Sequence, residues 1–222
     1  MAHVIVSYDG TRNDRDALAL GRLLASAGAQ VSLAYVRHAA EPDPEREAAV
    51  QDESERLLAA GASQLENGEV GQRVIFNRST ADGLASLAAE LGAEVIAFGS
   101  SYRTPAGHVE LSHTAEQLLD SEVPCSLALA PAGLRREPVE HSIGTLCIHD
   151  EDDDPAAQAT ASSLAHALGA AVTQDEADLL VIASRRGAPE GRLGLSASAR
   201  EQIAGAQGPV LALARGARLS FG

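Results

Sequence analysis

Short apolar runs alternate along the chain with longer segments whose apolar residues recur at helical spacing. In the first half this pattern predicts strands at 4–8, 30–36, 74–76, 95–98 and 127–130. Helices are predicted between them, near 14–27, in a long segment that ends around 65, and at 81–91 and 111–119. Strands that alternate with helices are typical of βαβ units. We therefore expect an α/β fold with a doubly wound, parallel five-stranded sheet in the order 3-2-1-4-5.

The same pattern restarts in the second half, after a segment at 132–140 that has no apolar period. Strands are predicted at 146–148, 179–183 and 210–214, and helices at 155–168 and 198–204. Leu-Ala-Leu-Ala occurs at 127–130 and again at 211–214, and Gly99 and Ser184 open similar loops 85 residues apart. The aspartates that end the first strand of each half, Asp9 and Asp150, are 141 residues apart. The second half is therefore a repeat that lacks a long helix, a strand and a further helix. We predict a first domain at 1–131, a linker at 132–140, a truncated second domain at 141–216 and a tail at 217–222.

The charge of the chain limits its partners. There are 31 acidic and 17 basic residues, a formal net charge of −14. This balance argues against nucleic acid and against anionic membrane surfaces, which both attract Lys and Arg. The N-terminus is read as a strand, not a signal peptide, and no stretch approaches the ~20 apolar residues of a membrane span. Cys125 and Cys147 lie in strand-like runs, which favours buried thiols over a structural disulfide. We expect a cytoplasmic protein.

Candidate chemistry lies in two loops at one edge of the predicted sheet. Ligands of doubly wound sheets bind beyond the strand C-termini where the strand order reverses, here between the first and fourth strands. The loop after the first strand offers the Asp9 carboxylate, which suits ribose hydroxyls or an adenine amino group. The loop after the fourth strand leads to a helix start with Ser112, His113 and Thr114, where N–H groups and the helix dipole favour a phosphate.

The sequence indicates neither a catalytic nor a metal-binding pattern. It has no Gly-x-Ser-x-Gly turn and no Cys/His set at zinc spacing, and the acidic run 151–154 lacks the spacing of a calcium loop. We therefore expect no catalysis beyond slow phosphate hydrolysis. Simpler interpretations of single residues stay open: Asp9 as a turn cap, His113 as a solvated helix-start residue and Arg103 as a surface charge.

The segment 99–119, GSSYRTPAGHVELSHTAEQLL, resembles the signature loop of the universal stress protein family. Nucleotide-binding members carry Gly-x-x-Gly, nine residues, and then Gly-Ser or Gly-Thr at the helix start. Tandem members often carry a variant that this chain matches at Gly99, Ser100, Ser101, Arg103, Pro105 and Gly107. The turn after the first strand also resembles that of the family. The resemblance is close over residues 3–131 and holds only in outline beyond them.

By this resemblance the first half would bind ATP or a related adenine nucleotide, with or without magnesium, in a stress-response role. The adenine and ribose would be held by Asp9, Gly10, Thr11 and the backbone around Val36. The phosphates would be lined by Gly99, Tyr102, Arg103, Gly107, Ser112, His113 and Thr114. Three positions depart from the family pattern: Tyr102 and Ser112 replace glycines, and His113 replaces a hydroxyl residue. A side chain at a glycine position blocks close backbone approach, so the site is altered or lost.

The second half departs further from the family pattern. Ser184 stands at the first glycine position, Gly187 is retained at the second, and Ala197-Ser198 replaces the final Gly-Ser. We expect this half to bind no nucleotide. The resemblance also implies pairing through the last strands, 127–130 and 210–214, within one chain or with a second subunit as a homodimer.

Other function classes remain open beside nucleotide binding. One is a nucleotide-free interaction or dimerisation module whose pocket has decayed and which holds no cofactor. Another, an electron-transfer flavoprotein or nucleotidyl-transfer enzyme, lacks the further motifs expected of it.

Overall fold

The computed structural model describes residues 1–65, 70–121, 123–136, 143–174 and 177–222. The first half contains β1 His3–Ser7, α1 Arg12–Ser26, β2 Gln30–Arg37, α2 Pro44–Ala62, β3 Gly71–Phe76, α3 Thr80–Leu91, β4 Val95–Gly99, α4 His113–Asp120 and β5 Ser126–Ala130, followed by a short 3-10 helix, Leu134–Arg136. The second half contains β6 Thr145–His149, α5 Pro155–Leu168, β7 Ala171–Thr173, β8 Leu179–Ile182, α6 Ala197–Gly205 and β9 Val210–Ala212. No described helix is long and apolar enough to cross a bilayer.

All the described strands belong to one sheet, in the order β3-β2-β1-β4-β5-β9-β8-β6-β7. The five strands of the first half are parallel and have the predicted order 3-2-1-4-5, which confirms the α/β fold class. The second half continues the sheet as a shortened repeat. Its β7 was not predicted, because three residues that are mostly exposed carry too weak an apolar pattern. Of the predicted linker, residues 137–140 lie outside the described residues.

The two halves meet where β5 and β9 pair antiparallel, with Ala128 opposite Leu211 at the centre. Ile96 of β4 pairs with Leu127 of β5. Leu180 takes the place of Ile96 in β8, and it pairs with Val210 of β9. Val210 is therefore the counterpart of Leu127. The repeat offset in these last strands is therefore 83 residues. The alignment of the two Leu-Ala-Leu-Ala segments at an offset of 84 was wrong by one residue.

This one-residue shift fits the packing on the two faces of the sheet. Successive strand residues point to opposite faces, so a shift of one residue exchanges the faces. Leu127 and Leu129 pack on one face beside Val210 and Ala212, while Ala128 and Ala130 pack on the other beside Leu211 and Leu213. Each face of the junction therefore combines large side chains from one strand with smaller ones from the other. Such a size match lets the layers interdigitate without voids.

Helices cover both faces of the sheet. One core contains apolar residues of α1, α2 and α5, such as Leu24, Leu58 and Leu164, and the other contains residues of α3, α4 and α6, such as Leu84 and Leu118. Because the chain has few aromatic residues, both cores consist mainly of buried Ala, Leu and Val side chains.

Residues 217–222 pack against both halves of the protein. Leu219 and Phe221 are buried in the first of these cores. The Leu219 N–H donates to the Thr160 hydroxyl of α5 at 2.9 Å, and the Gly222 N–H donates to the Ala27 carbonyl after α1 at 2.8 Å. This segment therefore links the halves a second time, away from the β5–β9 junction.

Candidate functional site

A cleft of about 280 Å³ opens at the carboxyl ends of β1 and β4, where the strand order reverses. This is the position at which doubly wound sheets bind ligands. Its lining comes from the end of β1 and the start of α1, from the end of β2, from the start of α3, and from the end of β4 and the start of α4. These residues are Ser7, Tyr8, Asp9, Thr11, Asn13, Asp14, Ala34, Tyr35, Val36, His38, Thr80, Phe98, Gly99, Ser100, Ser112 and Thr114.

The structure brings together six of the eleven candidate residues in this cleft. They are Asp9, Thr11, Val36, Gly99, Ser112 and Thr114. The other five, Gly10, Tyr102, Arg103, Gly107 and His113, are not part of its lining. Tyr102 is 74% exposed, and the Arg103 guanidinium lies over its ring at 5.1 Å. The ligand contacts of all eleven residues stay predictions.

Two carboxyl groups stand at the mouth of the cleft, although the sequence drew attention to Asp9 alone. Asp9 accepts a hydrogen bond from the Thr11 N–H at 2.8 Å. Asp14 accepts one from the Asp9 N–H at 2.5 Å, and Thr11 caps α1 by accepting from the Asp14 N–H at 3.4 Å. Thr11 followed three residues later by Asp14 resembles a capping box, and this spacing is the signal that could have revealed Asp14.

The two carboxyl groups differ in acidity. Burial, together with the hydrogen bond and the negative charge of Asp9, raises the pKa of Asp14 to about 8. Burial also acts to raise the pKa of Asp9, but hydrogen bonds with the Asp14 side chain and with Thr11 outweigh it, and the pKa is lowered. At neutral pH the pair therefore shares one proton and carries about one negative charge.

The protonated Asp14 makes stability depend on pH. Asp14 holds a proton in the folded protein at pH values where it is ionised in the unfolded chain. Its contribution to the free energy of unfolding is full below about pH 4 and is lost as the pH rises towards about 8. The lowered pKa of Asp9 contributes stability that is lost only at pH values below about 4, outside this window.

We expect Asp14→Asn to remove the fall in the free energy of unfolding that the Asp14 proton causes as the pH rises towards about 8. Because one group changes the free energy of unfolding by at most about 1.4 kcal/mol per pH unit, the difference is measurable by urea unfolding at pH 5, 6, 7 and 8. The variant should gain stability relative to the wild type as the pH rises. Asp82→Asn, an exposed residue in the first turn of α3, should follow the wild-type profile. An Asp14→Asn profile parallel to that of the wild type would contradict the proton assignment.

The inner walls of the cleft combine apolar surface with fixed polar groups. Phe98 and Val36 are buried apolar residues, and Tyr8 adds a third largely apolar side chain. His38 is held in place, with Nδ1 3.0 Å from the Asn77 carbonyl oxygen and Nε2 3.3 Å from the Thr80 hydroxyl. Such walls suit a planar ring with polar edges.

The loop between β4 and α4 is fixed by its own hydrogen bonds. The Ser100 hydroxyl donates to the Ala130 carbonyl at 2.7 Å and accepts from the Glu110 N–H at 3.2 Å. In the second half, the Ser184 hydroxyl donates to the Leu213 carbonyl at 2.7 Å and accepts from the Gly194 N–H at 3.0 Å. Ser184 is thus the counterpart of Ser100, and its alignment with Gly99 was wrong by one residue.

Both loops retain the glycine of the Pro-x-Gly segment that belongs to the tandem variant of the family pattern. Gly107 and Gly191 have φ of 83° and 74°, and both N–H groups donate to the chain after the last strand of their half, to Ala132 and Arg215. At such φ values a side chain is disfavoured, which explains glycine here. Gly187 therefore corresponds to Arg103, not to Tyr102.

A model of the universal stress protein family matches residues 1–131 of this chain. The chain belongs to that family. Solved structures extend the similarity over both halves. A universal stress protein from Archaeoglobus fulgidus DSM 4304 is 13% identical, with a TM-score of 0.69, over 96% of this chain and 98% of that one. A protein of unknown function from Pseudomonas aeruginosa PAO1 is 13% identical, with a TM-score of 0.64, over 97% and 93%.

These solved structures share the fold with this universal stress protein at low sequence identity. Both alignments include the second half, which lies beyond the family-model match. No curated protein matches the chain. The tandem architecture is therefore shared.

Proposed function

We propose that this universal stress protein binds an adenine nucleotide or nucleoside in the cleft of its first half and acts in the cytoplasm as a regulatory component of a stress response. The observation that carries the proposal is the Asp9 carboxylate at the end of β1, beside a cleft at the reversal of strand order. The lowered pKa keeps Asp9 ionised at neutral pH, so it can accept hydrogen bonds from ribose hydroxyls. Val36 and Phe98 would flank the base.

We propose that the ligand has a regulatory role, without dedicated catalysis. Among the described residues no group of three or more His, Cys, Asp or Glu side chains is arranged to hold a metal ion. Asp9 and Asp14 lie at the end where the ribose is expected.

We further propose that the second half binds no nucleotide. His149 and Ser198, the counterparts of Ser7 and Thr114, approach each other across the corresponding crevice, with 3.2 Å between His149 Nε2 and the Ser198 hydroxyl. The Arg186 N–H also donates to the Asp152 carboxylate at 2.6 Å. The first of these contacts joins two groups whose counterparts, Ser7 and Thr114, line the cleft of the first half.

Calorimetric titration with adenosine, AMP and ATP tests the proposed site. We expect at least one of these ligands to bind one site per chain, and Asp9→Asn to weaken its binding at least tenfold, because a hydrogen bond to a charged group contributes about 1.5–3 kcal/mol. Asp82→Asn makes the same charge change on an exposed helix and should leave the affinity unchanged. If none of the three ligands showed measurable binding up to millimolar concentration, the second candidate function would be favoured.

That second candidate is a nucleotide-free interaction module. It is favoured by the position of Tyr102, which replaces a glycine of the phosphate loop and points largely into solvent. For the assembly we propose an intrachain pseudo-dimer, because a homodimer through the same last strands would have to open the β5–β9 ladder. Sedimentation at the mass of one chain would support this arrangement over a homodimer.

A further inference from the structure

We infer that the cleft selects an uncharged adenine nucleoside over its triphosphate. The inference rests on the proposed adenine site and concerns which member of that ligand class the site accepts. It follows from three features of the first half: the charge of the lining, the occupied start of α1, and the hydrogen bonds of the loop after β4.

The lining of the cleft carries negative charge and no arginine. The chain contains no lysine, and its 17 basic residues are all arginines that lie among the described residues. None of them lines the cleft, although Arg15 interacts with the Tyr8 hydroxyl, whereas Asp9 and Asp14 both line it. The loop arginine at the matching family position, Arg103, lies over the exposed Tyr102 ring instead. A polyphosphate would enter against like charge, since carboxylates and phosphates repel at close range.

The start of α1 is already occupied by a carboxyl group of the chain. Helix N-termini attract anions because their N–H groups and dipole present positive charge. Here Asp14 lies in the first turn and accepts the Asp9 N–H, while Thr11 accepts the Asp14 N–H. A phosphate at this end would have to compete with these bonds.

Many of the N–H groups in the loop after β4 are already bonded within the chain. In the family such a loop is expected to surround the phosphates with backbone donors. Six of its N–H groups donate within the chain, those of Ser100, Ser101, Thr104, Gly107, His108 and Glu110. The second half repeats this pattern, with Arg185, Ala188, Gly191, Arg192 and Gly194 as donors. The two halves therefore share this loop conformation.

What remains in the cleft suits a nucleoside. Asp9 offers an acceptor for ribose hydroxyls, and Val36 and Phe98 offer apolar walls for the base. The volume of about 280 Å³ lies near the lower end of the ~300–1,000 Å³ of small-molecule pockets. A nucleoside fills such a site without bringing phosphate charges towards the Asp9 carboxylate.

The test is a calorimetric comparison of adenosine, ATP and magnesium-ATP on the full chain. We expect adenosine to bind at least tenfold more tightly than either form of ATP, with a gap that narrows as salt is raised, because salt screens the repulsion. ATP binding as tight as adenosine or tighter would overturn this inference and leave the proposed adenine site standing. Failure of every ligand to bind would overturn both.

A variant with an added positive charge tests whether electrostatic repulsion is the cause of the preference for adenosine over ATP. Thr114→Lys places a cation at the edge of the cleft, and it should raise the affinity for ATP relative to adenosine at least tenfold. Gln117→Lys makes the same charge change on the exposed side of α4 and should alter this ratio less than twofold. An unchanged ratio in Thr114→Lys would overturn the claim that charge sets the preference.

Discussion

Replacement of Asp16 by alanine is expected to lower the free energy of unfolding by about 3 kcal/mol, although Asp16 lies outside the cleft. Asp16 is only 2% exposed in the middle of α1. Its carboxylate accepts the N–H groups of Gly133 and Arg135, each at 2.9 Å, and contacts the Arg135 guanidinium at 2.8 Å. Without this carboxylate, two partly buried N–H donors and a partly buried guanidinium lose their acceptor, which costs more than an exposed ion pair contributes.

Urea unfolding of Asp16→Ala and of Asp82→Ala measures this difference. Asp82 is exposed in the first turn of α3, where its loss should cost about 0.3–1 kcal/mol through the helix dipole. A cycle with Arg135→Met isolates the side-chain pair from the two backbone bonds. If Asp16→Ala cost no more than Asp82→Ala, the segment after β5 would not depend on this anchor.

The role of Asp16 shows where the sequence stops being informative. Its partners lie 117 and 119 residues further along the chain. A carboxylate within an amphipathic helix is ordinarily solvated, and nothing in the local pattern distinguishes Asp16 from Asp14. The strands and helices, by contrast, could be predicted because their apolar periods are local.

The repeat was visible in the sequence, but its register was not. The identical Leu-Ala-Leu-Ala segments suggested an alignment that the strand pairing shifts by one residue. Identity of small apolar residues says little about which face each one occupies, because Ala and Leu are tolerated on both faces of a buried strand. Ser100 and Ser184 are the residues that correspond between the two loops. Their hydroxyl groups make equivalent hydrogen bonds, which are seen only in the folded structure.

The cleft was predicted from its topology more completely than from its residues. The position at the reversal of strand order followed from the expected sheet, and Asp9, Val36 and Gly99 lie there. Tyr8 and His38 were not predicted in the cleft from the sequence. At the ends of strands, mainly charged residues and glycines were used to choose candidates. Tyr102 and Arg103 were expected at the phosphates from the family pattern, yet they lie outside the lining.

Gly99→Ala is expected to destabilise the protein by about 3 kcal/mol, the upper end of the usual cost of overpacking a core. A Cβ atom built on Gly99 would lie 2.0 Å from the Asn13 carbonyl oxygen of α1. This neighbour is backbone, so it cannot rotate aside, and either β4 or the first turn of α1 must move. Because that turn carries Thr11 and Asp14, we also expect nucleoside affinity to fall at least tenfold.

Gly205→Ala provides the matched control for Gly99→Ala. Gly205 ends α6, and a Cβ atom there meets nothing within 4 Å, so its replacement should change the free energy of unfolding by less than about 1 kcal/mol, in the stabilising direction. Thermal and urea unfolding of the two variants compare the same chemical change in a crowded and an open position. If glycine at position 99 served only to let a phosphate approach, Gly99→Ala would lose ligand affinity while keeping wild-type stability. The contact with Asn13 requires both to fall together, because the same backbone contact that packs β4 against α1 sets the position of the Asp9 and Asp14 carboxyl groups.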